Sequence, residues 1–372
     1  MTKRILPPAT IGIVGGGQLG QMLALAAKPM GYQVIVLDPQ VDAPAALVAD
    51  QQIVASYDDV SALRNLANQA DVVTYEFENV DQTALQVAVP AEKLPQGVAL
   101  LNITANRLRE KQFLAALGLP VAPFAAVDNL VTLDARCHEV SLPAILKTAT
   151  GGYDGHGQWD IPNTDALANL LAHWQQPTDI ALVLEKKLAF DRELSVMVTR
   201  DGRGEIRTWP VTVNEHQHHI LRVSAAPATL SPQIAKQIEN IATTIANALQ
   251  LVGILGIELF VVGERVYINE LAPRPHNSAH LTIEATNVSQ FEGHIRSITG
   301  LPIPVITQYA PAIMLNLLGD QIIQARQDIA THEGWHFHDY GKRDVKPGRK
   351  MGHITATGMA AMKDLREWGT RL

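Results

Sequence analysis

A short apolar strand that leads through a glycine turn into a helix is the feature that most constrains the fold of this chain. Thr10-Ile-Gly-Ile-Val14 is rich in β-branched residues, Gly15-x-Gly17-x-x-Gly20 follows it, and residues 21–27 have a helical composition. Asp38 closes the next apolar run, at roughly the 20-residue spacing of a dinucleotide fingerprint. The pattern predicts an α/β unit whose turn binds a dinucleotide, binds another phosphate, or is purely structural.

Apolar runs beyond the turn extend this first unit. They predict further buried strands at 34–37, 70–75 and 99–103, with helical segments between them. A helical pattern over 105–117 then stops at Gly118, a typical C-terminal glycine. We therefore place the end of an N-terminal α/β domain close to this helix.

The rest of the chain has the pattern of an α+β protein. Between 106 and 300, strands such as 181–185 are mixed with a long helix around 232–249. Short segments, turns and a basic loop follow and predict a small C-terminal domain. The expected domains are 1–105, 106–300 and 301–372.

Composition excludes several classes of function. The 372 residues contain 30 Lys+Arg and 37 Asp+Glu, a formal charge of −7, so no overall basic surface for nucleic acid or a membrane is expected. A single cysteine, Cys137, excludes an internal disulfide framework and a multi-cysteine zinc site. Without an apolar run of membrane-spanning length or a secretory signal pattern, the sequence predicts a cytoplasmic protein.

A second glycine-rich loop follows a strand that ends in lysine. Residues 143–147 form this strand and Lys147 closes it, while 151–157 contain four glycines in seven positions. Glycine backbones can approach phosphates closely and present N–H donors, and a lysine adds a point charge. The pattern predicts a loop that covers phosphates, and a plain flexible hairpin is the alternative.

A predicted hairpin places two carboxylates on one face. Residues 252–262 and 265–270 turn through Gly263-Glu264, so symmetry about Glu264 pairs Glu258 with Glu270. Like charges about 5 Å apart repel by roughly 3 kcal/mol at an effective dielectric of 20. A cation is therefore expected, most simply Mg²⁺ with Asn269 as a further ligand. The alternatives are a shared proton or an arginine such as Arg274.

Two polar segments complete the candidate site. Residues 342–353 hold five basic residues in an acidic protein, which suits an anionic substrate or simply a solvated turn at Pro347-Gly348. Residues 269–278 carry polar side chains through a turn, where helix capping is the alternative. Most of the 13 histidines lack metal-ligand spacing, and we expect them to be surface or hydrogen-bonded residues.

Together these motifs resemble the N5-carboxyaminoimidazole ribonucleotide synthetase family. The resemblance rests on Gly15–Gly20, Thr150–Gly157, Asn269–Ser278 and Lys346–His353, in order along almost the whole chain. It implies an ATP-grasp architecture of α/β and α+β type, with an N-terminal Rossmann-like domain and a small C-terminal domain. It also implies ATP-dependent carboxylation of 5-aminoimidazole ribonucleotide with bicarbonate, through carboxyphosphate, in purine biosynthesis.

The resemblance further implies roles for individual residues. Asp154 would take the amine proton and Lys350 would stabilise charge on the transferring carboxyl group. Mg²⁺, with Mn²⁺ as the alternative ion, would be held by Glu258, Glu270 and Asn269. ATP would be bound by Arg107, Lys147, Gly152, Tyr153, Asp154, Gly155, His156, Gly157, Gln158, Glu185, Lys186, Lys187, Leu188, Glu193, His216, Asn269 and Glu270. The ribonucleotide and bicarbonate would be bound by Gln18, Glu76, Tyr153, Asp154, Arg274, His276, Asn277, Ser278, Lys342, Arg349 and Lys350.

Two positions depart from the family pattern. His156 stands where arginine or lysine is usual, and Ala279 stands where glycine is usual. Similar enzymes are usually homodimers, so we expect a homodimer with small-molecule substrates. The rival hypotheses are an NAD-dependent dehydrogenase, on the strength of the first glycine turn and Asp38, and a nucleotide-binding regulator without activity. The first leaves the second glycine loop and the carboxylate pair unexplained.

Overall fold

The strands of the described chain form three sheets, of four, nine and four strands. The computed structural model describes residues 4–151, 157–175 and 180–372. Five predicted site residues therefore lie outside the described residues: Gly152, Tyr153, Asp154, Gly155 and His156. Within the described ranges, no helix combines the length and the apolar composition needed to cross a membrane.

The N-terminal unit is a parallel sheet of order β3-β2-β1-β4 with helices on both faces. Ile11 and Ile13 of its central strand pack toward the first helix and Phe291, while Val14 packs on the opposite side with Leu66. Burial on both faces explains the unbroken apolar run. Its elements are β1 (Thr10–Val14), α1 (Gln18–Ala27), β2 (Gln33–Leu37), β3 (Gln51–Ile53), α2 (Val60–Gln69), β4 (Val72–Tyr75), α3 (Gln82–Ala88) and α4 (Ala99–Thr104).

The strand expected at 99–103 is wrong, because this segment is the helix α4. Leu100 and Leu101 are both buried, whereas Ala99 and Asn102 are exposed. Two adjacent buried residues between exposed ones do not fit the alternation of a half-buried strand but fit a short helix. An apolar run this short does not distinguish the two structures by periodicity.

A four-stranded antiparallel sheet of order β5-β8-β6-β7 forms the smaller part of the central region. The helix before it is capped by the Asn106 side chain and ends just before Gly118, which has φ +69°, as a C-terminal glycine requires. The elements are α5 (Arg107–Ala116), β5 (Phe124–Val127), α6 (Leu133–Val140), β6 (Ala144–Thr148), β7 (Gln158–Ile161), α7 (Thr164–Ala172) and β8 (Leu182–Lys186).

The nine-stranded sheet carries the rest of the chain in the order β14-β13-β9-β11-β12-β15-β17-β16, with β10 beside β9. Its C-terminal strands join the central ones because β12 pairs with β15. The elements are β9 (Arg192–Arg200), β10 (Ile206–Thr208), β11 (Thr212–Gln217), β12 (Ile220–Ala226), α8 (Pro232–Ala248), β13 (Ile254–Val262), β14 (Arg265–Ala272), α9 (Thr282–Ala285), α10 (Gln290–Ile298), β15 (Ala312–Leu318), α11 (Gln321–Asp328), β16 (Trp335–Asp339), β17 (Lys350–Thr357) and α12 (Met359–Gly369).

Candidate active site

A cavity of about 820 Å³ lies where the three sheets meet. Glu76 after β4, Lys147 on β6 and Lys350 on β17 all line it. Of the residues predicted from the sequence, the cavity is lined by Gln18, Glu76, Arg107, Lys147, Gln158, Glu185, Lys186, Lys187, Leu188, Glu193, His216, Glu258, Asn269, Glu270, Arg274, His276, Asn277 and Lys350. Four other described residues with predicted roles, Gly157, Ser278, Lys342 and Arg349, are not among the lining residues.

The glycine turn after β1 is occupied by carboxylates of the protein itself. The N–H groups of Gly17 and Gly20 donate to Glu76, and the N–H of Gly16 donates to Asp38 Oδ2 at 2.7 Å. Both carboxylates are buried. The N–H groups of Gly16, Gly17 and Gly20 therefore already have carboxylate partners within the chain, which favours the structural alternative for these three donors.

Close approach of these carboxylates explains why the turn needs glycine. A Cβ atom on Gly17 would lie 2.7 Å from Glu76 Oε1, and one on Gly16 would lie 2.8 Å from Asp38 Cβ. Burial raises the pKa of Glu76, whereas the N–H groups of Gly20 and Gly17 act to lower it. Asp38, the ribose ligand of the dehydrogenase hypothesis, also accepts from Tyr57 Oη at 2.7 Å.

Two lysines flank one buried carboxylate on the side of the cavity that the antiparallel four-stranded sheet forms. Lys147 Nζ and Lys111 Nζ each lie 3.2 Å from an oxygen of Glu185. Burial alone would raise the pKa of Glu185, but Lys111 and then Lys147 outweigh it and lower the pKa to about 2. Glu185 is thus held as an anion at neutral pH.

Lys111 also reaches the carboxylate hairpin. Its ammonium group donates to the backbone carbonyl of Asn269 at 2.7 Å, and its side chain is 3% exposed. The same group therefore contacts β8 of the smaller sheet and β14 of the larger one. Sequence reasoning missed Lys111, although its position four residues after Arg107 on α5 places both on one helix face.

The remaining residues of the predicted nucleotide site are anchored by local contacts. Lys186 Nζ donates to the carbonyl of Leu142 at 2.7 Å, and Lys187 pairs with Asp160 at 2.9 Å. His216 pairs with Glu193. Burial acts to lower the pKa of His216, but the hydrogen bond and charge of Glu193 outweigh it and raise the pKa.

A β-bulge sets the geometry of the carboxylate hairpin. Symmetry about Glu264 would also pair Phe260 with Ile268 and Val262 with Val266, and these two pairings are wrong, because Leu259 pairs with Ile268 and Val262 with Arg265. The predicted one-to-one pairing of Glu258 with Glu270 is replaced by the bulge. Between Ile257 and Leu259 the register shifts, so that Asn269 and Glu270 together lie opposite Glu258. A bulge can direct neighbouring side chains to one face, and all three line the cavity.

A histidine and an arginine flank the carboxylate pair. Glu258 Oε1 lies 2.9 Å from His276 Nε2, and Glu270 Oε2 lies 3.4 Å from Arg107 Nη1. Burial would raise the pKa of Glu258, but the bond to His276 and its charge lower it to about 2. Burial raises the pKa of Glu270, and the charge of Glu258 adds to the rise. Arg274, the alternative cation, pairs instead with Glu78.

The oxygen atoms at this hairpin fit a hard cation. Glu258 and Glu270 offer carboxylate oxygens and Asn269 an amide oxygen, the donors that Mg²⁺ prefers. Among the residues that the structure describes, no group of three or more His, Cys, Asp or Glu side chains could hold a metal. Two carboxylates and one amide would leave coordination positions of such an ion for water and substrate phosphates.

The turn after β14 is built around its polar side chains. Ser278 is fully buried, and its Oγ bonds to Ser195 Oγ at 2.6 Å and to His276 Nδ1 at 2.8 Å. It thereby orients His276 toward Glu258. The Asn277 amide atoms have no partner within the described ranges although they are buried, and unpaired buried groups beside a cavity suit a ligand. Glu78, the partner of Arg274, was missed in the sequence, although it closely follows the end of a buried strand.

The basic segment lies beside the cavity. Lys342 Nζ donates to the carbonyl of Lys350 at 2.7 Å, and Arg349 Nη1 donates to the carbonyl of Asp344 at 2.9 Å. Burial lowers the pKa of Lys342 to about 8, and the charge of Arg349 adds to the effect. Lys350 itself lines the cavity.

Three family models match consecutive parts of the chain. They describe a ribonucleotide synthetase preATP-grasp domain at 8–101, an ATP-grasp domain at 112–291 and a phosphoribosylaminoimidazole carboxylase C-terminal domain at 312–366. The N5-carboxyaminoimidazole ribonucleotide synthase of Bacillus subtilis (strain 168) is 44% identical over 357 residues, covering 95% of this chain and 93% of the relative. The chain belongs to the N5-carboxyaminoimidazole ribonucleotide synthase family.

Solved structures of this synthase family share the whole fold. An ADP complex of one N5-carboxyaminoimidazole ribonucleotide synthetase is 42% identical, with a TM-score of 0.92 over 100% of this chain and 99% of that one. The Aspergillus clavatus enzyme in complex with ADP and 5-aminoimidazole ribonucleotide is 30% identical, with a TM-score of 0.88 over 100% of both chains. The expected ATP-grasp architecture, with its N-terminal and C-terminal domains, is thus confirmed.

Proposed function

We propose that this chain performs the reaction for which its relatives are named, the ATP-dependent carboxylation of 5-aminoimidazole ribonucleotide to N5-carboxyaminoimidazole ribonucleotide. One observation carries the proposal beyond family membership. A single cavity joins the Lys147 and Glu185 side, the Glu258 and Glu270 hairpin, and Lys350. Groups for a nucleotide, for a divalent cation and for an anionic second substrate thus face one space.

The first step activates bicarbonate. A bicarbonate oxygen attacks the γ-phosphorus of ATP, ADP leaves, and carboxyphosphate forms. In this step Lys147 and Arg107 would hold phosphate oxygens, and charge on the transferring phosphoryl group requires such preorganised cations. Mg²⁺ held by Glu258, Asn269 and Glu270 would neutralise phosphate charge when bound.

The second step forms the N–C bond. The exocyclic amine of the ribonucleotide attacks the activated carboxyl carbon, or carbon dioxide released from it. Phosphate leaves, and the amine loses a proton. We assign the proton transfer to Asp154 and the stabilisation of carboxyl charge to Lys350. Lys342 and Arg349 would bind the ribonucleotide, with Arg349 on its phosphate, since a guanidinium group suits an anion with two acceptor oxygens.

The organisation of the molecule around this reaction is part of the proposal. We infer three functional regions, 1–105, 106–300 and 301–372, a homodimer, and a cytoplasmic location. The dehydrogenase alternative is disfavoured because the donors of the first glycine turn bind Glu76 and Asp38. A regulator without activity would not need the carboxylate pair and Lys350 in one cavity.

The test is ADP release by the purified protein with Mg²⁺, ATP, 5-aminoimidazole ribonucleotide and bicarbonate. Each component is omitted in turn, and NAD is added in a parallel assay. We expect release to require the ribonucleotide and bicarbonate and to be indifferent to NAD. Binding of MgATP without ADP release under any combination would contradict the proposed activity.

The assignment of Asp154 has its own test. An Asp154→Asn variant should still bind MgADP but form no product, because the amide cannot accept the amine proton. Calorimetric titration with MgADP and product analysis measure the two effects. An Asp154→Asn variant with wild-type turnover would refute the role.

A further inference from the structure

His280 is a buried histidine to which the proposed mechanism gives no role. It follows the turn 277–279, its side chain is 1% exposed, and it nevertheless lines the cavity. It lies near Arg274, His276 and Lys350, whose charges act on its ring. A ring in this position either completes the core or presents a polar atom to the substrate.

Gln290 determines which ring nitrogen of His280 carries the proton. The backbone N–H of His276 donates to Gln290 Oε1 at 2.8 Å, and Gln290 Nε2 donates to the His276 carbonyl at 2.8 Å. Because a backbone N–H only donates and a carbonyl only accepts, the amide orientation of Gln290 is fixed. Gln290 Nε2, the donor end, also lies 3.1 Å from His280 Nδ1.

His280 Nδ1 must therefore accept this hydrogen bond, and in a neutral ring the proton then sits on Nε2. Burial, followed by the nearby charges of His276, His338, Lys350 and Arg274, lowers the pKa of His280 well below its usual value. His353, on β17, packs its ring 5.0 Å from that of His280. The ring is thus a neutral N–H donor at neutral pH, and its Nε2 has no hydrogen-bond partner in the part of the chain that the structure describes.

We propose that His280 donates a hydrogen bond from Nε2–H to an anionic oxygen of the carboxyl group that is transferred, beside the charges of Arg274, His276 and Lys350. A neutral donor suits this position because it stabilises developing charge without a proton transfer of its own. Gln290 acts as the positioning residue that fixes the tautomer. The proposal rests on the proposed function, since it names a contact of that same substrate.

Two substitutions separate the donor role from packing. His280→Phe removes the donor and keeps an aromatic ring, whereas His280→Gln places an amide N–H donor at a similar reach. A hydrogen bond to a charged group is worth about 10- to 100-fold in affinity or rate. We expect His280→Phe to raise KM for bicarbonate or lower kcat by about that factor, and His280→Gln to recover most of the loss. Affinity for MgADP and KM for the ribonucleotide should stay at the wild-type value.

A matched control is available in His294, which is equally buried but is not among the cavity-lining residues. His294→Gln should leave KM for bicarbonate unchanged, with thermal unfolding recorded for all variants. Equal effects of His280→Phe and His280→Gln, or an effect on KM for the ribonucleotide alone, would overturn the proposal. A wild-type enzyme that releases no ADP would instead contradict the proposed function.

The pH profile distinguishes a fixed donor from a proton-transferring group. Because a neutral donor does not change its protonation, the profile of kcat/KM for bicarbonate from about pH 6 to about pH 8 should have the same shape in wild type and His280→Gln. A limb that is present in wild type and lost in both variants would show that His280 transfers a proton, and would overturn its assignment as a fixed donor.

Discussion

Buried and half-buried lysines determine much of the chemistry of single residues in this protein. Lys111, Lys147 and Lys342 have side chains turned toward the interior, and each has an anionic or carbonyl partner. Burying an ammonium group is costly unless its donors are used. The ammonium groups of these lysines are therefore held in fixed positions, where they can pair with a ligand or with another side chain.

Lys111 can be tested through its two contacts. Lys111→Met removes the cation that holds Glu185 and the Asn269 carbonyl, so the nucleotide groups and the hairpin lose a shared anchor. We expect KM for ATP to rise at least about tenfold, and stability to fall by roughly 1–3 kcal/mol, because Glu185 loses one of its two cationic partners and keeps Lys147. Steady-state kinetics and urea unfolding measure these effects. Lys363→Met, at an exposed pair with Glu367, is the control, and equal effects of the two substitutions would contradict the role.

Lys342 predicts a pH dependence of ribonucleotide binding. Its pKa of about 8 means that the ammonium group of the free enzyme loses its charge as the pH rises through that value. Under the proposed function the charged form attracts the anionic ribonucleotide, so kcat/KM for the ribonucleotide should fall between about pH 7 and about pH 9. In Lys342→Arg this limb should disappear, since arginine stays protonated. An identical limb in both proteins would show that another group titrates.

At the scale of secondary-structure elements, a β-bulge and a glycine turn position the functional groups. The bulge in β14 places Asn269 and Glu270 opposite Glu258, and the turn before α1 wraps around Glu76. A regular hairpin would have directed alternate side chains to opposite faces. The site thus depends on one extra residue in a strand and on the missing Cβ atoms of a turn.

The contact between Gly17 and Glu76 can be measured with a double-mutant cycle. Gly17→Ala should destabilise the protein by about 1–3 kcal/mol, because its Cβ would lie 2.7 Å from Glu76 Oε1. In the Glu76→Ala background the clash is removed, so the same substitution should cost less. Chemical denaturation of the four proteins gives the coupling energy. Strictly additive effects would show that the carboxylate is not what excludes a side chain.

How far the sequence predicts these elements depends on whether the information is local. The turn at Gly15 and the end of α5 at Gly118 follow from glycine positions, and both are observed. The hairpin register is off by one, because a bulge leaves no local mark in residues 258–270. The bonds from Lys111 to Asn269 and from Arg274 to Glu78 join residues 158 and 196 positions apart. Such pairs depend on the packing of whole sheets.

The nine-stranded sheet is the dominant feature at the scale of the whole molecule. It carries the carboxylate hairpin at one end and Lys350 on β17 toward the other. Hydrogen bonds between β12 and β15 join the central and C-terminal parts. The family models divide the chain into three domains, but two of them share this sheet.

A shared sheet predicts cooperative unfolding of these two parts. Trp209 is buried in the central part, and Trp335 and Trp368 are buried in the C-terminal part. In single-tryptophan variants, the fluorescence of Trp209 or of Trp335 should change at the same urea concentration as the circular dichroism of the same protein. The comparison is made within each variant, because replacing the other tryptophans by phenylalanine lowers stability. A Trp335 midpoint that differs from the circular-dichroism midpoint of its own protein would show that residues 301–372 unfold independently.

Glu76 competes with dissolved anions for the N–H groups of the first glycine turn. Glu76 is a tethered ligand of this turn, and a ligand on the same chain acts at an effective concentration that its linkage sets, of millimolar order even for a flexible tether. In a folded core the carboxylate is held in place, so a dissolved dinucleotide or phosphate must displace a partner that never diffuses away. The glycine pattern therefore does not predict cofactor binding in this protein, because the anion bound by the turn is the Glu76 side chain, 59 residues after Gly17.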